Sequence, residues 1–232
     1  MQRYFALDKN LTLRDSDYHH IKNVMRMKVG EIVEVVYDNT VYTCKVDPIK
    51  KELFVINEKV GNKKDKEIVI AFSLLKEQKL DYLLQKSTEC GASSFIPLMT
   101  NRSIIKNDAS KENKKIDRWQ RIVKEASEQS FRVDIPTISN VKKINELIKE
   151  EADLKILCTL NEKSKNLKKV LQKNNKCDKI IIVIGPEGGF DEKEETMLLD
   201  SGFISVTLGE NVLRAETAPV VVLSMINYEF GR

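Results

Sequence analysis

The sequence predicts an α/β domain built on a mainly parallel sheet, preceded by a small β-rich, barrel-like module. Three observations carry this reading. First, Ile180-Ile181-Ile182-Val183-Ile184 runs directly into Gly185-Pro186-Glu187-Gly188-Gly189. An apolar run this short, bounded by turn residues, reads as a strand buried on both faces. Second, from about residue 67 onwards strand patterns alternate with helical ones, the order expected of a parallel sheet with crossover helices. Third, the first 60 or so residues hold several short β-branched segments and only one helical stretch.

Taken in order, Gln2 to Leu7 reads as a strand. Asp15 or Ser16 caps a helix that is expected to reach Met27, with Gly30 closing it. Residues 32–37 and 41–46 are two strands joined at Asp38-Asn39, the usual hairpin signal. Residues 53–56 form another strand. The polar stretch 57–67, with Gly61 and Lys59, Lys63, Lys64 and Lys66, is read as a strand end and linker. This sets domains at 1–66 and 67–232. Strands follow at 68–74, 94–98, 154–159, 180–184 and 203–208. Helices are expected at 80–91, with Gly91 at the end, at 116–126, at 141–151 and at 167–171. The 116–126 helix places Ile116, Trp119, Val123 and Ala126 on one face. Residues 103–115 read as an exposed loop. Asp191 caps the helix after the glycine-rich loop. The last helix, 219–230, is apolar nearly all round, so it is expected to be buried on several sides, in a core or against a second subunit.

Of the 232 residues, 41% are hydrophobic and 32% charged, with a net charge of +4. That balance permits a local nucleic-acid patch without demanding one. No apolar run approaches the length of a membrane span. The residues after Met1 form no apolar signal core, so a cytoplasmic protein is expected. Cys44, Cys90, Cys158 and Cys177 are scattered, which points to isolated reduced thiols rather than a zinc site or disulfides. His19 and His20 are adjacent and make a poor metal pair, so no metal is expected.

Two loops carry the chemistry. The glycines at 185, 188 and 189 allow a sharp turn and close approach of a ligand. The loop lacks the Gly-Lys-Ser/Thr ending of a phosphate loop and the Gly-x-Gly-x-x-Gly spacing of dinucleotide folds. Glu187 at its centre would repel a phosphate, so the ligand is neutral or cationic where it touches. Alternatively, the loop is a tight turn that binds nothing. The second stretch is Leu208-Gly209-Glu210-Asn211-Val212-Leu213-Arg214-Ala215-Glu216-Thr217-Ala218-Pro219. Thr217 as N-cap and Pro219 in the first turn suit a helix start. Arg214 and Glu216 have no such explanation. Two strand–loop–helix junctions side by side make a crevice.

These two stretches, taken together, closely resemble the RsmE family, the bacterial small-subunit ribosomal RNA uracil-N3 methyltransferases of the SPOUT class. The resemblance spans nearly the whole chain. It includes His19-His20-Ile21 with Val24-Met25-Arg26-Met27-Lys28-Val29-Gly30, and Gln85-Lys86-Ser87-Thr88-Glu89-Cys90-Gly91. It continues through Pro97 with Asn101-Arg102-Ser103, and through Arg118-Trp119, Glu125-Ala126-Ser127-Glu128-Gln129-Ser130, Arg132 and Ile135-Pro136. The chain departs from the family at Cys90 (usually Leu), Asn101 (commonly Glu) and Phe131 (commonly Gly).

The resemblance implies a PUA-like N-terminal barrel that helps hold RNA and a trefoil-knotted SPOUT domain, paired through the knot as a homodimer. It implies S-adenosyl-L-methionine as cofactor, with Thr159, Leu160, Ile184, Gly185, Pro186, Glu187, Gly188, Gly189, Leu208, Gly209, Val212, Leu213, Arg214, Thr217 and Ala218 around it. The implied reaction is in-line methyl transfer, without metal, to N3 of a specific uracil in 16S ribosomal RNA of the small subunit. Arg214 and Glu216 are the catalytic candidates, against the competing reading of a structural ion pair. Arg3, Arg14, Lys22, Arg26, Lys28, Arg102 and Arg132 are the RNA-contact candidates. The alternatives are a silent RNA-binding module and a knotted methyltransferase acting on transfer RNA or ribose oxygen.

Overall fold

A computed structural model of the chain describes residues 1–62, 66–105, 108–162 and 165–231. Lys63 and Lys64 of the expected linker lie outside these. The chain divides into two units, one of Met1–Lys64 with Glu125–Ile135, the other of Asp65–Lys124 with Pro136–Arg232.

The first unit contains β1 (Gln2–Phe5), α1 (Asp15–His19), β2 (Ile32–Tyr37), β3 (Thr40–Asp47) and β4 (Glu52–Val60). The strands form one sheet in that order, β1 parallel to β2 and the others antiparallel. Asp38 and Asn39 both take positive φ, 44° and 58°, the backbone a two-residue hairpin needs to match strand twist. Tyr4, Leu13, Ile21, Val33, Val35 and Val46 are among the side chains packed into this unit's core.

The helix expected to run to Met27 stops early. After His19 the chain makes one π-type turn, His20–Val24. Arg26 then enters the left-handed region at φ 53°, which an α-helix cannot continue through. Gly30 does not cap a helix; at φ 89° it leads into β2, its amide bonded to the Val46 carbonyl.

The segment Glu125–Ile135 is held in this unit by Arg3. The Arg3 guanidinium donates to the carbonyls of Phe131 and Arg132, pairs with Glu34 at 2.7 Å and lies over the Phe131 ring.

The second unit contains β5 (Glu67–Ser73), α2 (Glu77–Glu89), β6 (Ser94–Leu98), α3 (Glu112–Gln129, counted with the first unit from Glu125 on), β7 (Thr137–Ile138), α4 (Ile144–Leu147), β8 (Leu154–Cys158), α5 (Leu167–Lys173), β9 (Lys179–Ile184), α6 (Glu192–Asp200), β10 (Ile204–Val206) and α7 (Ala218–Phe230). Its described strands form one parallel sheet in the order β10-β8-β9-β5-β6-β7. β9 is central, and Ile180 to Ile184 are each at most 4% exposed. Burying each such side chain contributes about 1.5–3 kcal/mol, which fixes the strand that feeds the glycine-rich loop.

The expected 141–151 helix shrinks to the single turn of α4. Its first residues are captured by the sheet edge: Lys142 bridges to Leu98 and exchanges backbone bonds with Pro97 and Met99. α7 buries Ala218, Pro219, Val222, Leu223 and Ile226 and leaves Met225 38% and Tyr228 85% exposed. One apolar face of that helix is thus uncovered within the single chain. Among the described residues no helix is long and apolar enough to cross a membrane.

Candidate active site

Strand register brings three loops to one place. Val206 of β10 pairs with Cys158 of β8, and Cys158 with Ile184 of β9. The chain therefore leaves all three strands at one level of the sheet's carboxyl edge, where open α/β sheets take their ligands. Residues 158–162 with Asn166, 184–190, and 206–215 with Ala218 line a cavity of about 900 Å³, which Arg102 and Glu195 complete. That volume suits a small-molecule ligand.

The glycine-rich loop is fixed by the chain just after β6. Arg102 Nη1 donates to the carbonyls of Gly188 and Phe190, at 3.0 and 3.1 Å. The Asn101 amide donates to Glu194 Oε1, and its side chain donates to Asp191 Oδ2. Asp191 accepts from the Glu194 amide at 2.8 Å while Glu194 accepts from the Asp191 amide, a reciprocal cap at the start of α6. These bonds, the Glu194 amide foremost, hold the Asp191 carboxyl below its ordinary range.

Inside the loop, a Cβ on Gly185 would stand 3.1 Å from the Phe190 ring, tighter than side chains normally approach. Gly189 and Gly209 hold positive φ, 69° and 138°. On the β8 side, Glu195 accepts from Thr159 Oγ1 at 2.9 Å and from Asn161 Nδ2 at 2.6 Å.

Of the fifteen residues expected around a cofactor, fourteen line the cavity; Thr217 does not. Nor is Thr217 a side-chain cap. Its backbone is already helical, φ −89° and ψ −36°, and its hydroxyl makes no capping bond: the second position of α7 is Pro219, which has no N–H, and the Val220 amide bonds to the Thr217 carbonyl instead. Pro219 does sit in the first turn of α7.

Arg214 lines the cavity with its side chain 79% exposed, and its Nη1 is 3.9 Å from Glu216 Oε1. Glu216 is only 8% exposed, and its Oε2 receives no hydrogen bond. This is not the buried two-residue pair of the structural reading, since the guanidinium is left to the cavity.

Two of the RNA-contact candidates are corrected. Arg3 and Arg132 are each 9% exposed; Arg3 is spent on Glu34 and the 131–132 carbonyls, Arg132 on Asp134 at 2.9 Å. Arg3 joins separate parts of the first unit, and Arg132 is held by its own segment. Arg102 is a loop clamp on the cavity wall. Arg14, Lys22, Arg26 and Lys28 are exposed.

One site residue left no signal in the sequence. Lys79, on the first turns of α2, pairs with Glu187 at 2.7 Å across 108 positions of chain. The Lys79 hydrogen bond holds the Glu187 carboxyl below its ordinary range, and the same bond raises the Lys79 ammonium. Glu162, Glu187, Glu195 and Glu210 outnumber Arg102 and Arg214 on the lining. This wall favours a neutral or cationic ligand over a phosphate.

Residues 62–227 match the family described as the RNA methyltransferase domain, and residues 13–58 match the RNA methyltransferase PUA domain. Over 248 aligned positions the chain is 35% identical to the Ribosomal RNA small subunit methyltransferase E of Bacillus subtilis, covering 99% of this chain and 97% of that one. This chain belongs to that RNA methyltransferase family. The Mesomycoplasma hyopneumoniae methyltransferase E is 32% identical, covering 96% of this chain and 94% of that one. Among solved structures, the methyltransferase E of Neisseria gonorrhoeae bound to S-adenosyl methionine matches with a TM-score of 0.88 and 26% identity, over 98% of this chain and 97% of that one. A methyltransferase E fold therefore accounts for both units of the chain.

Proposed function

We propose that this chain uses S-adenosylmethionine to methylate N3 of uracil 1498 of 16S ribosomal RNA in the small subunit. The observation that carries the reading is the cavity at the three strand ends, walled by two glycine-bearing loops and richer in carboxylates than in guanidinium groups. A phosphate-bearing cofactor fits that lining poorly, whereas a sulfonium cation with an uncharged nucleoside fits it well. Residues of 184–190 and 206–215, with Thr159 and Leu160, would hold the cofactor. Bound there, it supplies a methyl group on a sulfonium leaving group.

The protein has two tasks. Holding the uracil in line can contribute about 7–11 kcal/mol of barrier lowering. N3 must also shed its proton, so negative charge grows on the uracil ring. Arg214, exposed on the cavity wall, stabilises that charge at the carbonyl oxygens. Glu216, with an oxygen free of donors, accepts the N3 proton as N3 takes the methyl group.

The first unit, through its PUA match and its exposed Arg14, Lys22, Arg26 and Lys28, holds the RNA. The chain works in the cytoplasm as a homodimer through a trefoil knot, with the uncovered face of α7 at the subunit contact.

The test is to incubate the protein with labelled S-adenosylmethionine and undermethylated small subunits and to map the modified base by mass spectrometry. A methyl group at any position other than uracil N3 overturns the reading. In the same assay Arg214→Ala should bring methylation to background while cofactor affinity stays within about tenfold, roughly 1.4 kcal/mol. Retained methylation would remove Arg214 from the mechanism.

A further inference from the structure

Glu187 sits at the centre of the glycine-rich loop, yet the proposed chemistry gives it no task. Its carboxylate pairs with the Lys79 ammonium at 2.7 Å. The same ammonium is 3.9 Å from Glu216 Oε2, too far to donate a hydrogen bond. Arg214 stands off equally, 3.9 Å from the other oxygen of Glu216. Glu216 is thus a buried carboxylate flanked by two cations, neither of which closes on it, and Oε2 is left without a donor. A buried oxygen that receives no hydrogen bond is unfavourable, and a lysine this near would ordinarily swing in to satisfy it. Here Lys79 is already held by Glu187.

We propose that Lys79 is a positioning residue for methyl transfer, tethered by Glu187 so that its charge acts on the buried Glu216 carboxylate without its ammonium closing a hydrogen bond on Oε2. The tether also explains why a carboxylate occupies the middle of a ligand loop. It joins the wall after β9 to the wall after β10 through a side chain of α2. Glu187 thereby fixes Lys79 from the cavity wall. This inference rests on the proposed role of Glu216.

The test uses the full-length protein and the isosteric variant Glu187→Gln. In its crystal structure the Lys79 Nζ to Glu216 Oε2 distance should close from 3.9 Å to hydrogen-bond range. In the methylation assay at saturating S-adenosylmethionine its kcat should fall tenfold or more. Lys79→Met should lower kcat as well, and adding Glu187→Gln to it should bring no further loss, since the tether then has nothing to hold. If the ammonium stays at 3.9 Å in Glu187→Gln, the tether is wrong. If both variants weaken cofactor binding and leave kcat intact, the pair is only a loop brace and the proposal is overturned. Should Lys79→Met fail to fold, Glu187→Gln alone decides. A wild-type protein that binds cofactor but methylates no uracil N3 would instead count against the proposed function, and the crystallographic distance would still judge the tether.

Discussion

Gly185, Gly188 and Gly189 look interchangeable in the sequence and differ in the folded chain. Gly185 is the tight one, since an added Cβ meets the Phe190 ring at 3.1 Å and the Phe190 amide nitrogen at 3.3 Å. Phe190 lines the cavity, so Gly185→Ala should push it and weaken S-adenosylmethionine binding tenfold or more by calorimetry. Gly188 has ordinary room, 3.8 Å to Arg102, so Gly188→Ala should be tolerated by the fold itself. Near-native melting of Gly188→Ala would agree with this, and a large loss of stability would not. Gly189 has open space but a φ of 69°, so alanine there is strained by about 1–2 kcal/mol. Glu187 adds a pH dependence. Its folded carboxyl is depressed below 4.5 by Lys79, so the pair's contribution is present above that value and lost as pH falls through the folded one. Cofactor affinity should therefore be flat from neutral pH down to about 5 and fall in stronger acid, which calorimetry across that range would check.

At the scale of elements, the start of α6 and the chain after β6 act as one brace on the glycine-rich loop. Asp191→Ala removes the cap and should cost about 1 kcal/mol in urea unfolding. Arg102→Ala removes both bonds to the Gly188 and Phe190 carbonyls while touching little of the core. It should reduce cofactor affinity with a small change in melting temperature. The cap was readable, because Asp followed by Glu three positions on is a local signature. The brace was not, because Arg102 and Gly188 are 86 positions apart. The two helices that fell short of expectation, α1 and α4, failed for tertiary reasons of the same kind. A left-handed residue ended the helical stretch after α1, and the sheet edge took the backbone bonds that would have begun a longer α4.

At the scale of the molecule, the proposed RNA contacts predict a salt dependence. Log affinity for small-subunit RNA should fall linearly with log salt, and each of Arg14→Ala, Lys22→Ala, Arg26→Ala and Lys28→Ala should reduce the slope by about 0.7 if it removes one phosphate contact. Arg3→Ala should instead destabilise the first unit, since its guanidinium joins β1, Glu34 and the 131–132 backbone. The proposed dimer predicts that Tyr228→Glu with Met225→Glu lowers the mass seen by light scattering from two chains to one. By itself the sequence determined most of the strand and helix order, the buried central strand and the two glycine-bearing loops, because apolar periodicity, glycines and caps act over a few neighbouring positions, while the family resemblance named fourteen residues that line the cavity. Only the tertiary structure could decide that Lys79 reaches Glu187, that Arg102 grips the loop, and that Arg3 and Arg132 are internal. Those are pairings between charges far apart in the chain, and a charged residue carries no local mark of whether it will meet water or a partner.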